Sequence, residues 1–230
     1  MNYGVVLAGG KGTRLGAEKN KVLLKLKGRP ILYYSIKAFI DAGIFDKIVV
    51  VAGEPDQEEV WAILNMFEGC DHSVVIGGKE RQDSVRNALD HIVTCCGKVG
   101  TEDRILIHDS ARPLVTVEEI LRVAEGLDQE GSVTLAVRSK DTIKKADAQG
   151  YVKETLDRQE LWQISTPQGF RLELLLQAYD KAVQDGFYGT DDCSLVERIG
   201  ERIRLIEGSY RNIKVTTVED MKIAEALMSE

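Results

Sequence analysis

Short, almost wholly apolar runs alternate along the chain with segments whose apolar residues recur at helical spacing. Tyr3–Leu7 (YGVVL), Lys47–Ala52 (KIVVVA), Ser73–Ile76 (SVVI), Arg104–His108 (RILIH) and Val133–Val137 (VTLAV) read as buried strands. Ile203–Glu207 and Ile213–Val215 read as late strands. After Pro30, ILYYSIKAFIDAG reads as a helix that stops at Gly43, and Gln57–Phe67, Ser84–Val93 and Arg171–Val183 are also helical. Thr116-Val-Glu-Glu119 is a capping box ahead of ILRVAEGL, and Thr217-Val-Glu-Asp220 resembles a cap for a last helix bearing MKIAEALM. This alternation predicts a Rossmann-like α/β fold of three layers, a mostly parallel sheet with helices on both faces.

Such sheets bind ligands beyond the carboxyl ends of their strands. The polar, glycine-bearing tails fall there: GGKGTR after the first strand, GGKERQDS after the third and HDSARP after the fourth. Residues 139–165 break the rhythm. Asp147-Ala-Gln-Gly150 is a turn signal between two polar, partly alternating runs, which predicts a protruding β-hairpin arm. An isolated hairpin is marginal in water. The arm therefore packs on a second subunit, giving a homodimer, or folds back on its own domain.

Composition narrows the class. The 230 residues are 43% hydrophobic and 29% charged, without linker or repeat, and read as a single domain over 1–230. A net charge of −7 and a pI near 5.2 argue against a nucleic-acid binder. No run of about 18 apolar residues marks a membrane span, and MNYGVVLAGGKG is too short in apolar residues for a signal peptide. The expected location is the cytoplasm. Cys70, Cys95, Cys96 and Cys193 form no C-x-x-C pair and read as free thiols; His72, His91 and His108 lack zinc-like spacing.

Positive charge is nevertheless concentrated in AGGKGTRLGAEKNKVLLKLKGRP, from Ala8 to Pro30, where seven cations face one acid, Glu18. Glycines let backbone N–H groups close on a phosphate. The spacing fits neither Walker A nor the dinucleotide fingerprint, since Lys11 is followed by Gly12 and Leu15 stands where a glycine is needed. Arg14 and Lys21 are the cations within reach of the loop mouth, suited to a phosphate as fork and point charge. Gly78 and Ser84 offer a second glycine turn with a hydroxyl, unless Ser84 is a plain N-cap. Asp109 can accept from a ribose hydroxyl or help hold a metal and Arg112 can bind phosphate, unless the two pair in a turn. Lys214 sits in an apolar segment, where it snorkels or meets an anion. The chain shows no nucleophilic Ser/His or Cys/His arrangement. A phosphate monoester, with a second pKa of about 6, needs none: its attack on another phosphate requires alignment and charge neutralisation.

Together LAGGKGTRLG, GGKERQDSV, HDSARP, KDTIKKA, TLDRQELWQISTPQGF and NIKVTTVEDM resemble the cytidylyltransferases of the non-mevalonate isoprenoid pathway, from Val5 to about Met228. The resemblance implies that the phosphate of methylerythritol phosphate attacks the α-phosphorus of CTP, with Mg²⁺ on the triphosphate. It implies that Arg14 and Lys21 stabilise the transition state. Ala8, Gly9, Gly10, Gly12, Gly78, Ser84 and Ser110 line the CTP site. Asp109 lies near ribose, metal or sugar phosphate, Arg112 on the substrate side, and Lys214 on the attacking phosphate. Thr142 and Arg158, on the arm, reach the neighbouring subunit's substrate. Asn20 and Val22 depart from the family's usual proline and glutamine, so the loop is expected to be less restrained and to lack a polar group; Ser110 replaces a commoner alanine. A ribitol 5-phosphate cytidylyltransferase and a non-catalytic nucleotide-binding module are the alternatives.

Overall fold

The computed structural model describes residues 1–9, 20–96 and 98–229. In chain order the elements are β1 (Asn2–Leu7), β2 (Lys25–Leu26), β3 (Arg29–Pro30), α1 (Ile31–Asp41), β4 (Lys47–Ala52), α2 (Gln57–Leu64), β5 (Asp71–Ile76), α3 (Arg81–Cys96) and β6 (Arg104–Asp109). Then follow α4 (Val117–Gly126), β7 (Ser132–Arg138), β8 (Lys144–Ala146), β9 (Val152–Thr155), β10 (Trp162–Arg171), α5 (Leu172–Gln184), α6 (Asp192–Arg198), β11 (Arg204–Glu207) and α7 (Val218–Leu227). Among the described residues the central sheet has seven strands in the order β11-β7-β10-β6-β1-β4-β5. β1 is parallel to β4 and β6, β4 to β5, and β11 to β7; β10 runs antiparallel between β6 and β7.

Alternation along the strands splits the core into two layers. Val6, Ile48, Val50, Leu106, Val133 and Leu135 face α1, α2 and α4. Tyr3, Val5, Val49, Val51, Ile105 and Phe170 face α3, α5 and α6. Because both faces are covered, β1 and β4 are almost continuously apolar. A smaller apolar cluster joins Leu26, Ile31, Val215 and Ala224, seating α7 beside the β2–β3 hairpin. That hairpin turns on Lys27 and Gly28, both at positive φ, the geometry of a tight two-residue turn. No described helix is long and apolar enough to cross a membrane.

Four expectations are corrected. The segment Ile213–Val215 forms no strand: Val215 N–H donates to the Ala111 carbonyl at 2.7 Å, so its partner is a loop, not a ladder. β10 enters the central sheet at Trp162, so residues 162–165 belong to that sheet and not to the arm. Its pairing with β7 shifts between Ile164 and Gln168, around Pro167, which has no N–H to give a ladder. The helix α6 was missed, a short element capped by Asp191. Ser84 is the fourth residue of α3, not its N-cap.

The arm pairs β8 with β9 in a separate two-stranded sheet. Every residue of both strands is exposed, Tyr151 and Val152 next to the turn included. Folding back on its own domain would bury one face, so that alternative does not hold.

Candidate active site

β1 and β6 lie side by side, and the chain leaves both at the same edge of the sheet. The order of strands reverses there, since β1 is followed outward by β4 and β5 on one side and by β6 on the other. The crevice beyond this edge is built by local hydrogen bonds. Ala8 N–H reaches the Val51 carbonyl at 2.7 Å, extending β1 toward Gly9. Ser110 donates both its N–H (3.1 Å) and its hydroxyl (2.6 Å) to the Leu7 carbonyl, locking the two loops together. Ser110 is fully buried, so its hydroxyl holds the loop in place. At the end of β5, Gly78 N–H donates to Ser84 Oγ at 3.1 Å, and Ser84 donates to the Glu80 carbonyl. A Cβ on Gly78 would lie 2.2 Å from that of Asp83, so only glycine fits this turn.

Asp109, the last residue of β6, is the electrostatic centre. Lys214 Nζ lies 2.6 Å from its Oδ2 and Arg81 Nε 3.3 Å from its Oδ1. Burial alone would raise its pKa. The Arg81 and Lys214 charges, with Arg112 behind them, outweigh that and hold the carboxyl below the usual carboxylate range. Lys214 therefore meets an anion. Asp109 and Arg112 share a turn through Arg112 N–H to the Asp109 carbonyl, at 2.9 Å. Their side chains do not pair, because Arg112 Nη1 donates to the Asn212 carbonyl at 2.7 Å. Buried Arg112 Nε has no protein partner.

Several residues that the sequence did not single out support this centre. Arg81 Nη2 also donates to Asp192 Oδ2 at 2.7 Å, and Tyr179 donates to Asp192 Oδ1 at 2.6 Å. The Asp192 carboxylate is almost completely buried, so one guanidinium joins α6 to the end of β6. His108, the residue before Asp109, is buried against Phe39 of α1. Its Nε2 lies 3.2 Å from the Arg112 carbonyl, which can only accept, so Nε2 carries the proton and Nδ1 accepts from Thr166 Oγ1 at 2.9 Å. Thr166 Oγ1 in turn accepts Asp109 N–H at 3.1 Å. Burial lowers the His108 pKa to about 4, in keeping with a neutral ring.

Arg14, Gly10 and Gly12 lie outside the described residues. Lys21 opens a 3-10 turn, Lys21–Leu23, on the same side of β1. Asn20 holds that turn by three side-chain contacts; residues 10–19 of the loop expected to be less restrained lie outside the described residues. Val22 is buried in the core, so it replaces a polar group by packing. Thr142 and Arg158 are exposed at the arm, and neither side chain hydrogen-bonds to Asp109, Arg112 or Lys214. A Ser–His contact does exist, Ser73 Oγ to His91 Nε2 at 2.9 Å, but it sits midway along the edge strand β5 and no carboxylate orients the ring. Among the described residues no three His, Cys, Asp or Glu side chains cluster as metal ligands. Asp109 alone suits a hydrated divalent ion carried on a triphosphate, which takes one or two carboxylates plus phosphate oxygens. It does not suit an ion held by protein ligands alone.

Loops and cations gathered at the carboxyl edge of a Rossmann-like sheet, at the point where strand order reverses, define the class: an α/β protein with a crevice suited to a phosphorylated ligand. Comparison with known proteins narrows it. The family model for 2-C-methyl-D-erythritol 4-phosphate cytidylyltransferase matches residues 3–230. Proteins of that name from Geobacillus kaustophilus and Caldanaerobacter subterraneus are 42% and 40% identical, covering 100% and 97% of this chain and 98% and 97% of theirs. A solved Anaerococcus prevotii 4-diphosphocytidyl-2C-methyl-D-erythritol synthase superposes with a TM-score of 0.85 at 28% identity, covering 100% of this chain and 98% of its own. The Francisella tularensis cytidylyltransferase gives 0.81 at 31%, covering 98% of each chain. This chain belongs to the 2-C-methyl-D-erythritol 4-phosphate cytidylyltransferase family.

Proposed function

We propose that the protein transfers CMP from CTP to 2-C-methyl-D-erythritol 4-phosphate, giving 4-diphosphocytidyl-2-C-methyl-D-erythritol and pyrophosphate. One observation carries this reading: the family likeness spans residues 3–230 and so includes every loop of the crevice. An oxygen of the sugar phosphate forms a bond to the α-phosphorus, the α–β bridging bond breaks, and pyrophosphate leaves with the electron pair.

The chain's part is to position and neutralise. The Gly9 backbone, with Gly10 and Gly12, cradles the triphosphate; Ala8 and Gly78, whose N–H groups go to the Val51 carbonyl and Ser84 Oγ, line the site, and the Ser84 and Ser110 brackets fix the loops around it. Arg14 and Lys21 face the charge that grows at the α-phosphorus. Lys214 and Arg112 hold the attacking phosphate, Lys214 turning from Asp109 toward it and Arg112 adding its charge on the substrate side. Asp109 orients Lys214 and is the carboxylate placed to share a Mg²⁺ brought in on the triphosphate. When bound, that ion supplies further charge neutralisation. Two copies joined through the arm at 139–161 would let Thr142 and Arg158 reach the partner's substrate. The reading places the homodimer in the cytoplasm.

Incubation with CTP and Mg²⁺ plus either methylerythritol phosphate or ribitol 5-phosphate, following pyrophosphate, tests this. Release only with methylerythritol phosphate is the expected result. Release only with ribitol 5-phosphate replaces the substrate, and CTP binding without release with either leaves a nucleotide-binding module.

A further inference from the structure

The side chain of Asn20 is engaged at every polar atom. Its Nδ2 donates to the Ala8 carbonyl at 2.6 Å and to Asp56 Oδ2 at 2.8 Å, and its Oδ1 accepts Val22 N–H at 3.3 Å. The reversed amide would set an oxygen against two acceptors, so the partners fix the orientation. Three segments meet on this one side chain: the end of β1, the Glu54–Asp56 turn that follows β4, and the 3-10 turn whose first residue is Lys21. The Lys21 backbone is held from both sides. Asn20 caps its turn, Leu24 N–H donates to its carbonyl at 3.1 Å, and Val22 and Leu23 are buried beyond it.

We propose that Asn20 is a positioning residue: it clasps Ala8 to the residue before Lys21, and Asp56 anchors the clasp, so that the Lys21 ammonium is set against the phosphates with little freedom. The inference rests on the role given to Lys21 above. A cation fixed in place acts on the transition state without reorganising, and misplacement by about 1 Å can cost about a hundredfold in rate. Asn20 touches no reacting atom in this account. Its effect passes through the backbone of Lys21.

A double-variant cycle with Asn20→Ala and Lys21→Ala tests this, reading kcat and KM for CTP. Asn20→Ala should lower kcat by about ten- to a hundredfold, since the cation is displaced and not lost. In the Lys21→Ala background the same substitution should change kcat less than twofold, because coupled residues are non-additive. Equal loss in both backgrounds would reduce Asn20 to a stabilising contact and overturn the proposal. So would normal turnover of Asn20→Ala beside a crippled Lys21→Ala. Near-normal Lys21→Ala would instead sink the reading of Lys21, and this inference with it. A second arm guards against misfolding. Asp56→Ala removes the anchor and leaves Asn20 and Ala8 in place, whereas Asp56→Asn keeps an oxygen acceptor for Asn20 Nδ2. Turnover should fall several-fold in the first variant and stay within twofold of native in the second; equal turnover in the two would count against the clasp.

Discussion

Lys214 Nζ lies 2.6 Å from Asp109 Oδ2, an ion pair that joins the end of β6 to a segment 105 residues further along the chain. Lys214 is about half exposed while Asp109 is nearly covered, so the ammonium can turn toward a phosphate while the carboxylate stays fixed. Lys214→Ala should lower kcat/KM for the sugar phosphate by about a hundredfold, the loss of one preorganised donor at about 3 kcal/mol. KM for CTP should move less than threefold. Steady-state kinetics with each substrate varied in turn check the asymmetry.

Arg81 bridges Asp109 and the buried Asp192. Removing it leaves the Asp192 carboxylate with Tyr179 alone, and breaking a buried pair this way costs about 3 kcal/mol or more. Arg81→Ala should shift the denaturant midpoint accordingly and lower turnover. Arg81→Lys should also fail to restore activity, because an ammonium cannot fork between two carboxylates.

The neutral His108 gives a pH prediction. Its folded pKa is lowered to about 4, against about 6.5 in the unfolded chain. Between those values the unfolded state binds the proton and the folded state does not. Stability from this group is therefore complete above about pH 6.5 and falls by up to about 3 kcal/mol as pH drops toward 4. Chemical denaturation at pH 7 and pH 4.5 measures the fall, and His108→Gln should abolish this part of it.

How much of this was readable beforehand follows from what a linear pattern can carry. Buried parallel strands such as KIVVVA and RILIH announce themselves because both faces are covered. β10 did not, being exposed at one end, interrupted at Pro167 and antiparallel. The glycine turns and the cations were legible as local chemistry. Their partners were not: nothing in NIKVT says that Lys214 reaches Asp109, and nothing in GGKERQDS says that Arg81 reaches α6. His108 was set aside for lacking a metal-like spacing, whereas its work depends on Thr166, in a strand that was not foreseen. The contacts of Asn20 were not legible either, because its three partners lie on separate segments. The signal that was available is the run of polar residues at the carboxyl end of each apolar strand.

The proposed sharing of the site between two copies predicts complementation between subunits. Arg158→Ala and Lys214→Ala placed on separate chains of a demonstrated heterodimer should regain about half of the native activity per dimer, since one of the two sites is then intact. Each variant homodimer should remain impaired. Activity no greater than that of the two homodimers would remove the partner from the site.

The central claim is that the sugar phosphate itself attacks the α-phosphorus of CTP within this crevice. It is tested most directly by supplying methylerythritol phosphate with ¹⁸O at all its non-ester phosphate oxygens and following the products by ³¹P NMR. The account predicts that the label is retained entirely in the diphosphate product, one ¹⁸O bridging to the CMP phosphorus, with unlabelled pyrophosphate released. Label in pyrophosphate, an unlabelled bridge, or CTP consumed without a coupled product would contradict it.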